Sequence, residues 1–171
     1  MKGTGLFLFF LLLISLTHCG DRGKKPLTDY KPGKDEIADM NSYIVRKDRE
    51  RIQSFFERKG LTMNETPTGL WFSILKEGSG EFFKDTDKVV FAYECSLLDG
   101  TECYSSDESG PMDIKLGHSD IPSGLTEGLK MLKPGAEALF ILPPHLAYGL
   151  IGDSRKIPPR STLVYSVKII K

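Results

Sequence analysis

Apolar residues recur with a helical period in the first third of the chain and with a strand-like period in the rest. Over residues 35–59 they are spaced three and four positions apart, which predicts a helix that begins near Asp35 and stops before Gly60. The apolar positions of this helix are Ile37, Met40, Tyr43, Ile44, Ile52, Phe55 and Phe56. The charged run at residues 46–51 is either the solvent face of one helix or a break between two. The helix itself either packs on the following domain or forms a dimerisation arm, since periodicity does not separate the two.

The later segments predict a small α+β domain. Runs rich in β-branched and aromatic residues, bounded by glycine and proline, indicate strands. These runs cover residues 70–75, 88–97, 101–106, 112–117, 136–142 and 162–170. Asp99-Gly100 is a hairpin signal, and residues 122–132 predict a short helix with Leu125, Leu129 and Leu132 on one face. A sheet of about five or six strands with one short central helix is typical of the α+β class.

The loop between the last two strands is rich in proline and has functional potential. It includes Tyr148 directly before Gly149 and Ile157 directly before Pro158. A long loop that also has apolar side chains is more often functional than disordered. We therefore predict a rigid, aromatic-lined pocket built by strand, loop and strand.

The first residues have the pattern of a targeting segment. Lys2 precedes an apolar run at residues 6–16, which is too short to span a bilayer comfortably and fits a signal peptide over residues 1–18. Cys19 follows, with Leu16 three positions before it, and this spacing resembles a bacterial lipoprotein cleavage site, although His18 departs from the usual small residue. An acylated Cys19 would hold the protein at a membrane, with residues 19–34 as a polar tether. Cleavage with release and an uncleaved anchor are the alternatives.

Composition excludes some classes of function. The 171-residue chain has 23 basic and 23 acidic side chains, which argues against nucleic-acid binding. Its three histidines, His18, His118 and His145, are scattered without metal-ligand spacing. We expect no metal and no cofactor.

Two cysteines remain beyond Cys19. Cys95 and Cys103 lie on either side of the Asp99-Gly100 turn at even spacing, so they could face each other across a hairpin. They are either an oxidised pair, as an environment outside the cytoplasm allows, or two small buried apolar side chains.

Several motifs in this order resemble the FKBP-type peptidyl-prolyl isomerases. They are Tyr93, 97-LLDGT-101, 116-LG-117, 124-GLTEGL-129, Gly135, 146-LAYG-149 and 157-IPPRSTLVY-165. The resemblance covers residues 68–171 and implies a twisted antiparallel sheet wrapped around one short helix. Residues 35–67 then form an N-terminal helical segment before the domain. Leader and helix together look most like the gliding-motility-associated isomerase lipoproteins of the Bacteroidetes.

The resemblance also implies functional residues. Tyr93 and Tyr148 fall on catalytic positions, the second being a tyrosine whose hydroxyl binds a substrate carbonyl. Substrate-binding positions fall on Cys103, Tyr104, Met112, Ile121, Pro122, Leu125, Ile157 and Tyr165. Cys103 and Tyr104 fall where the family has phenylalanine followed by aspartate, and Leu125 falls where many members have tryptophan.

The resemblance implies a membrane-anchored isomerase of the cell envelope that faces the periplasm and acts on proline-containing polypeptides. The loss of the aspartate at Tyr104 puts efficient catalysis in question. The alternatives are a folding chaperone that grips proline or apolar segments with weak or no turnover, and a scaffold subunit that uses the same fold.

Overall fold

The computed structural model describes residues 31–171. The predicted signal peptide, Cys19 and the tether up to residue 30 lie outside this part. Residues 38–171 form one compact unit, and the described residues before it, 31–37, belong to another. In the latter, helix α1 begins at Lys34 and the Gly33 N–H donates to Glu36 Oε2 at 2.9 Å. Within residues 31–171, no helix is long and apolar enough to cross a membrane.

The domain consists of seven strands, two short helices and the longer helix α1. The helices are α1 (Lys34–Arg58), α2 (Ser106–Ser109) and α3 (Ser123–Lys130). The strands are β1 (Asn64–Glu65), β2 (Trp71–Lys76), β3 (Lys88–Leu97), β4 (Glu102–Ser105), β5 (Met112–Lys115), β6 (Glu137–Leu142) and β7 (Leu163–Ile169). A 3₁₀ turn, Pro144–Leu146, follows β6.

Strand β3 is the centre of the antiparallel sheet. The strand order is β1-β2-β6-β7-β3-β4, and β5 also pairs with β3. One edge of β3 pairs with β7, while the other edge pairs with β5 in its first half and with β4 in its second half. The register shifts between Cys95 and Ser96, which marks a bulge in the β3–β4 hairpin. Because β4 and β5 part around α2, the sheet opens opposite Tyr93.

Helix α3 packs closely on the concave face of the sheet. Leu125 and Leu129 are fully buried against it. A Cβ at Gly128 would lie 2.8 Å from the Phe140 ring, so only glycine lets the helix backbone come this near to β6. This close approach fixes the depth of the space between helix and sheet.

The second half of α1 packs on the opposite face of the sheet. Ile52 is buried with Trp71, Ile141 and Val164, and the ring centroids of Phe56 and Trp71 are 5.0 Å apart. This favours the interpretation in which the helix packs on the domain. Met40 and Tyr43 on its first half are 56% and 51% exposed, and a homodimer formed through the 35–59 helix stays a prediction.

The α+β fold with an N-terminal helix is confirmed, but several details differ from the prediction. Helix α1 is continuous through residues 46–51, so this charged run is not a break. Helix α1 ends at Arg58, as the predicted stop before Gly60 requires, but the rest of the segment 35–67 is not helical: Asn64 and Glu65 pair with β2 as a short edge strand. The sheet has seven strands, and the polar segment after β4 forms the one-turn helix α2.

Candidate active site

A cavity of about 360 Å³ opens between β3, β7, the β4–β5 region and the loop after β6. Its size is near the lower end of small-ligand sites, which span roughly 300–1,000 Å³. It is lined by Tyr93, Tyr104, Met112, Asp120, Tyr148, Asp153, Arg155 and Tyr165. Five of these residues were predicted from the sequence: Tyr93, Tyr104, Met112, Tyr148 and Tyr165.

Two of the four tyrosines that line the cavity, on β3 and β7, point into it because strand side chains alternate between the two faces. Tyr93 follows Phe91 on the concave face of β3, and Tyr165 lies between Leu163 and Val167 on the concave face of β7. The rings of Tyr93 and Tyr165 are 6.3 Å apart between centroids. They form a wall of rings at the point where the sheet opens.

The polar atoms of Tyr93 are held by α2. The Tyr93 N–H donates to Ser106 Oγ at 2.7 Å, which replaces a strand partner that the parted edge does not supply. The Tyr93 hydroxyl lies 3.4 Å from Ser109 Oγ. The Ser109 hydroxyl in turn donates to Ser105 O at 2.9 Å. Serines of the one-turn helix thus stand beside the tyrosine where the family resemblance leads us to expect an aspartate.

Tyr148 is fixed by a hydrogen-bonded loop. The Gly149 N–H donates to Pro144 O at 2.8 Å, and the Arg160 N–H donates to Gly149 O at 2.9 Å. The Gly152 N–H donates to Tyr148 O at 3.2 Å. Backbone bonds on both sides therefore hold this half-buried side chain at the mouth of the cavity.

Asp153 is a site residue that sequence reasoning missed. Its Oδ1 accepts from the N–H groups of Arg155 at 2.9 Å and Ile157 at 2.8 Å, while its Oδ2 accepts a short hydrogen bond from the Tyr104 hydroxyl. The local signal was present, since aspartate commonly caps a turn by bonding the backbone two residues on. Its partner on β4 is 49 positions away and is visible only in the fold.

Tyr104, Tyr148 and Tyr165 keep their protons at neutral pH. Burial raises the pKa values of Tyr148 and Tyr165, and the hydrogen bond to Asp153 is the main cause that raises the pKa of Tyr104. Burial alone would raise the pKa of Asp153, but the bonds from Tyr104, Ile157 and Arg155 together outweigh it and lower that pKa. The cavity therefore presents neutral hydroxyls beside an ionised carboxylate.

The other predicted substrate-binding residues do not line this cavity. Cys103, Leu125 and Ile157 are buried in the core beneath it, Pro122 is buried, and Ile121 is half-buried against the core. Their binding roles stay predictions. Cys95 and Cys103 are both free, buried thiols rather than a disulfide, and burial raises the pKa of Cys95 to about 12.

Residues 79–170 match the family model described as FKBP-type peptidyl-prolyl cis-trans isomerase. The match covers more than half of the chain and includes every residue that lines the cavity. The chain belongs to this family.

Individual relatives agree with this assignment. The chain is 38% identical over 125 residues to the FKBP-type isomerase FkpA of Escherichia coli K12, across 72% of this chain and 44% of that protein. It is 36% identical over 130 residues to a probable FkpA of Neisseria meningitidis, across 74% of this chain and 47% of that protein. The chain therefore spans about half the length of these relatives.

Solved structures agree as well. The crystal structure of Escherichia coli FkpA is similar with a TM-score of 0.64 and 30% identity, across 84% of this chain and 75% of that one. The crystal structure of AtFKBP13 has a TM-score of 0.61 and 25% identity, across 65% of this chain and 98% of that one.

Proposed function

We propose that the protein is a peptidyl-prolyl cis-trans isomerase that binds proline in the cavity of Tyr93, Tyr148 and Tyr165. The observation that carries this proposal is the cavity itself, which joins aromatic walls to a hydroxyl at its mouth on a hydrogen-bonded loop. The family name of the relatives supports the same activity. The substrates that we propose are exported or envelope polypeptides with exposed X-Pro bonds.

The mechanism needs only a change of environment and a positioned hydrogen bond. Rotation about X-Pro breaks amide resonance, against a barrier of about 18–20 kcal/mol. The planar amide is more dipolar than the twisted one, so its transfer from water to an aromatic pocket disfavours the planar ground state. The Tyr148 hydroxyl, protonated at neutral pH, can donate to a substrate carbonyl and hold one end while the bond turns.

The test is the refolding of a small protein whose slow phase is limited by proline isomerisation. Wild type should accelerate that phase in proportion to its concentration. Each 1.4 kcal/mol that the site removes from the barrier makes the rotation about tenfold faster. A slow phase that keeps its spontaneous rate would refute the enzymatic proposal.

We also propose that the protein is lipid-anchored in the cell envelope, as in the gliding-motility-associated lipoproteins it resembles. The support is the sequence of an apolar run followed by Leu16-Thr17-His18-Cys19 and a polar stretch. Cells that express the full chain should incorporate labelled fatty acid into it. Incorporation that persists in Cys19→Ala would contradict the anchor.

A second function, folding chaperone, is favoured by two exposed side chains beside the cavity. Leu150 and Ile151 follow Tyr148 within two to three positions and are 75% and 76% exposed. The free energy falls when a client segment covers exposed aliphatic side chains and removes them from water. We propose that they contact apolar residues that flank the bound proline in a non-native chain.

The double substitution Leu150→Ser/Ile151→Ser separates chaperone action from turnover. We expect acceleration of protein refolding to fall about tenfold, since two buried aliphatic contacts are worth more than 1.4 kcal/mol. Turnover of a proline tetrapeptide, too short to reach the pair, should be retained. The control is Leu75→Ser, because Leu75 is 60% exposed on β2. An equal loss in both assays, or in the control, would contradict this role.

A further inference from the structure

The two positions at which β4 departs from its family both contact the same loop. The Tyr104 hydroxyl donates to Asp153 Oδ2, and the Cys103 thiol lies 3.8 Å from Lys156 O as a weak donor. The loop in question, residues 149–156, lies between Tyr148 and the Ile-Pro-Pro element at residues 157–159. The strand that lost the expected phenylalanine and aspartate is therefore bonded across the cavity mouth to the loop that holds Tyr148.

Asp153 accepts three hydrogen bonds with one carboxylate. Oδ1 accepts two backbone N–H groups, which closes the loop on itself between Asp153 and Ile157. Oδ2 accepts from Tyr104 on the opposite wall. Hydrogen bonds to an ionised carboxylate are about twice as strong as those between neutral groups. This carboxylate therefore fixes both the shape of the loop and its distance from β4.

We propose that Asp153 is a positioning residue which, through Tyr104, sets the width of the proline cavity and so replaces the carboxylate missing from β4. This inference rests on the proposed isomerase site. Asp153 does not need to touch the substrate: it holds Tyr104 and the loop in the arrangement that accepts proline. Loss of the bond leaves the loop free to move away from β4. Proline then binds more weakly, because binding must also order the loop.

A double-mutant cycle tests the proposal. Tyr104→Phe removes only the bond across the cavity and leaves the Asp153 turn intact. Asp153→Asn keeps an oxygen for the two backbone N–H groups and removes the negative charge that Tyr104 bonds. Each variant, and the two combined, would be assayed for kcat/KM and for Kd with one proline tetrapeptide, beside thermal unfolding.

We expect each single variant to lose about fivefold to tenfold in kcat/KM, and the double variant to lose no more than the worse single one. Interacting partners give such non-additive effects, whereas independent sites add. The matched control is Glu108→Gln. Glu108 is exposed on α2, directly after β4, and forms the 2.9 Å ion pair with Lys156 of the same loop. This variant should stay within about twofold of wild type, because exposed ion pairs contribute little.

The outcomes distinguish this proposal from the isomerase proposal. If wild type binds the peptide but does not isomerise it, the isomerase proposal is refuted. The double-mutant cycle measured by Kd then still decides whether Asp153 positions the site. Multiplicative losses in the double variant overturn the positioning role, as does an effect of Glu108→Gln equal to the others. Losses that follow the unfolding temperature alone also overturn it. Wild type that neither binds nor turns over the peptide overturns both proposals.

Discussion

Gly152→Ala is expected to lower kcat/KM more than tenfold. A Cβ at this position would lie 2.2 Å from Ile157 O and 2.8 Å from the carbonyl carbon of Pro158, and both are backbone atoms that no side-chain rotation can move. The residue also has φ of +76°, which costs an L-residue about 1–2 kcal/mol. The loop must therefore open between Gly152 and Pro158, and this would displace the cavity wall that Asp153 and Arg155 form.

Gly149→Ala is the matched control for this effect. Gly149 belongs to the same loop and has φ of +63°, but nothing lies within 4 Å of the Cβ it would gain. We expect a loss of about 1 kcal/mol in the free energy of unfolding and little change in kcat/KM. Peptide turnover and thermal unfolding of both variants would be measured side by side. Equal activity in the two variants would show that the contact with Ile157 does not shape the site.

Gly128→Val is expected to destabilise the domain by about 3 kcal/mol, near the upper end of overpacking costs. The first added carbon would lie 2.8 Å from the Phe140 ring, which is fully buried. Helix α3 would have to lift off β6. For a chain of this size the unfolding temperature should fall by about 6–12 °C.

Ser123→Val provides the comparison in the same helix. Ser123 is exposed in the first turn, and the residue before it, Pro122, is the N-cap. Valine and serine have similar helix propensities, so this variant should stay within about 0.5 kcal/mol of wild type. A Gly128→Val protein as stable as Ser123→Val would show that helix and sheet are not in close contact.

The features that the sequence predicts well are those with local causes. The alternation on β3 and β7 is written in consecutive residues, so the inward direction of Tyr93 and Tyr165 could be predicted. The Asp99-Gly100 turn also follows from local chemistry: Gly100 has φ of +91°, and Asp99 Oδ1 accepts from the Thr101 N–H at 2.9 Å. The family resemblance then supplied the order in which these elements meet.

The features that were missed depend on partners distant in sequence. Asn64 and Glu65 have poor strand propensity and form β1 only because the edge of β2 offers hydrogen-bond partners. The register shift beside Cys95 is a property of the paired strands rather than of either alone. The Tyr104–Asp153 bond joins a strand to a loop. From the sequence alone, Tyr104 is only the loss of the family's aspartate, and its hydrogen bond to a carboxylate is visible only in the fold.

The proposed activity is tested most directly by the exchange rate between cis and trans forms of a proline tetrapeptide, measured by NMR with catalytic amounts of the domain. Wild type should raise the rate well above the spontaneous one. Tyr148→Phe should reduce the catalysed part about three- to tenfold, which is the expected effect of one lost hydrogen bond. A wild-type protein that leaves the exchange rate at its spontaneous value would contradict the account.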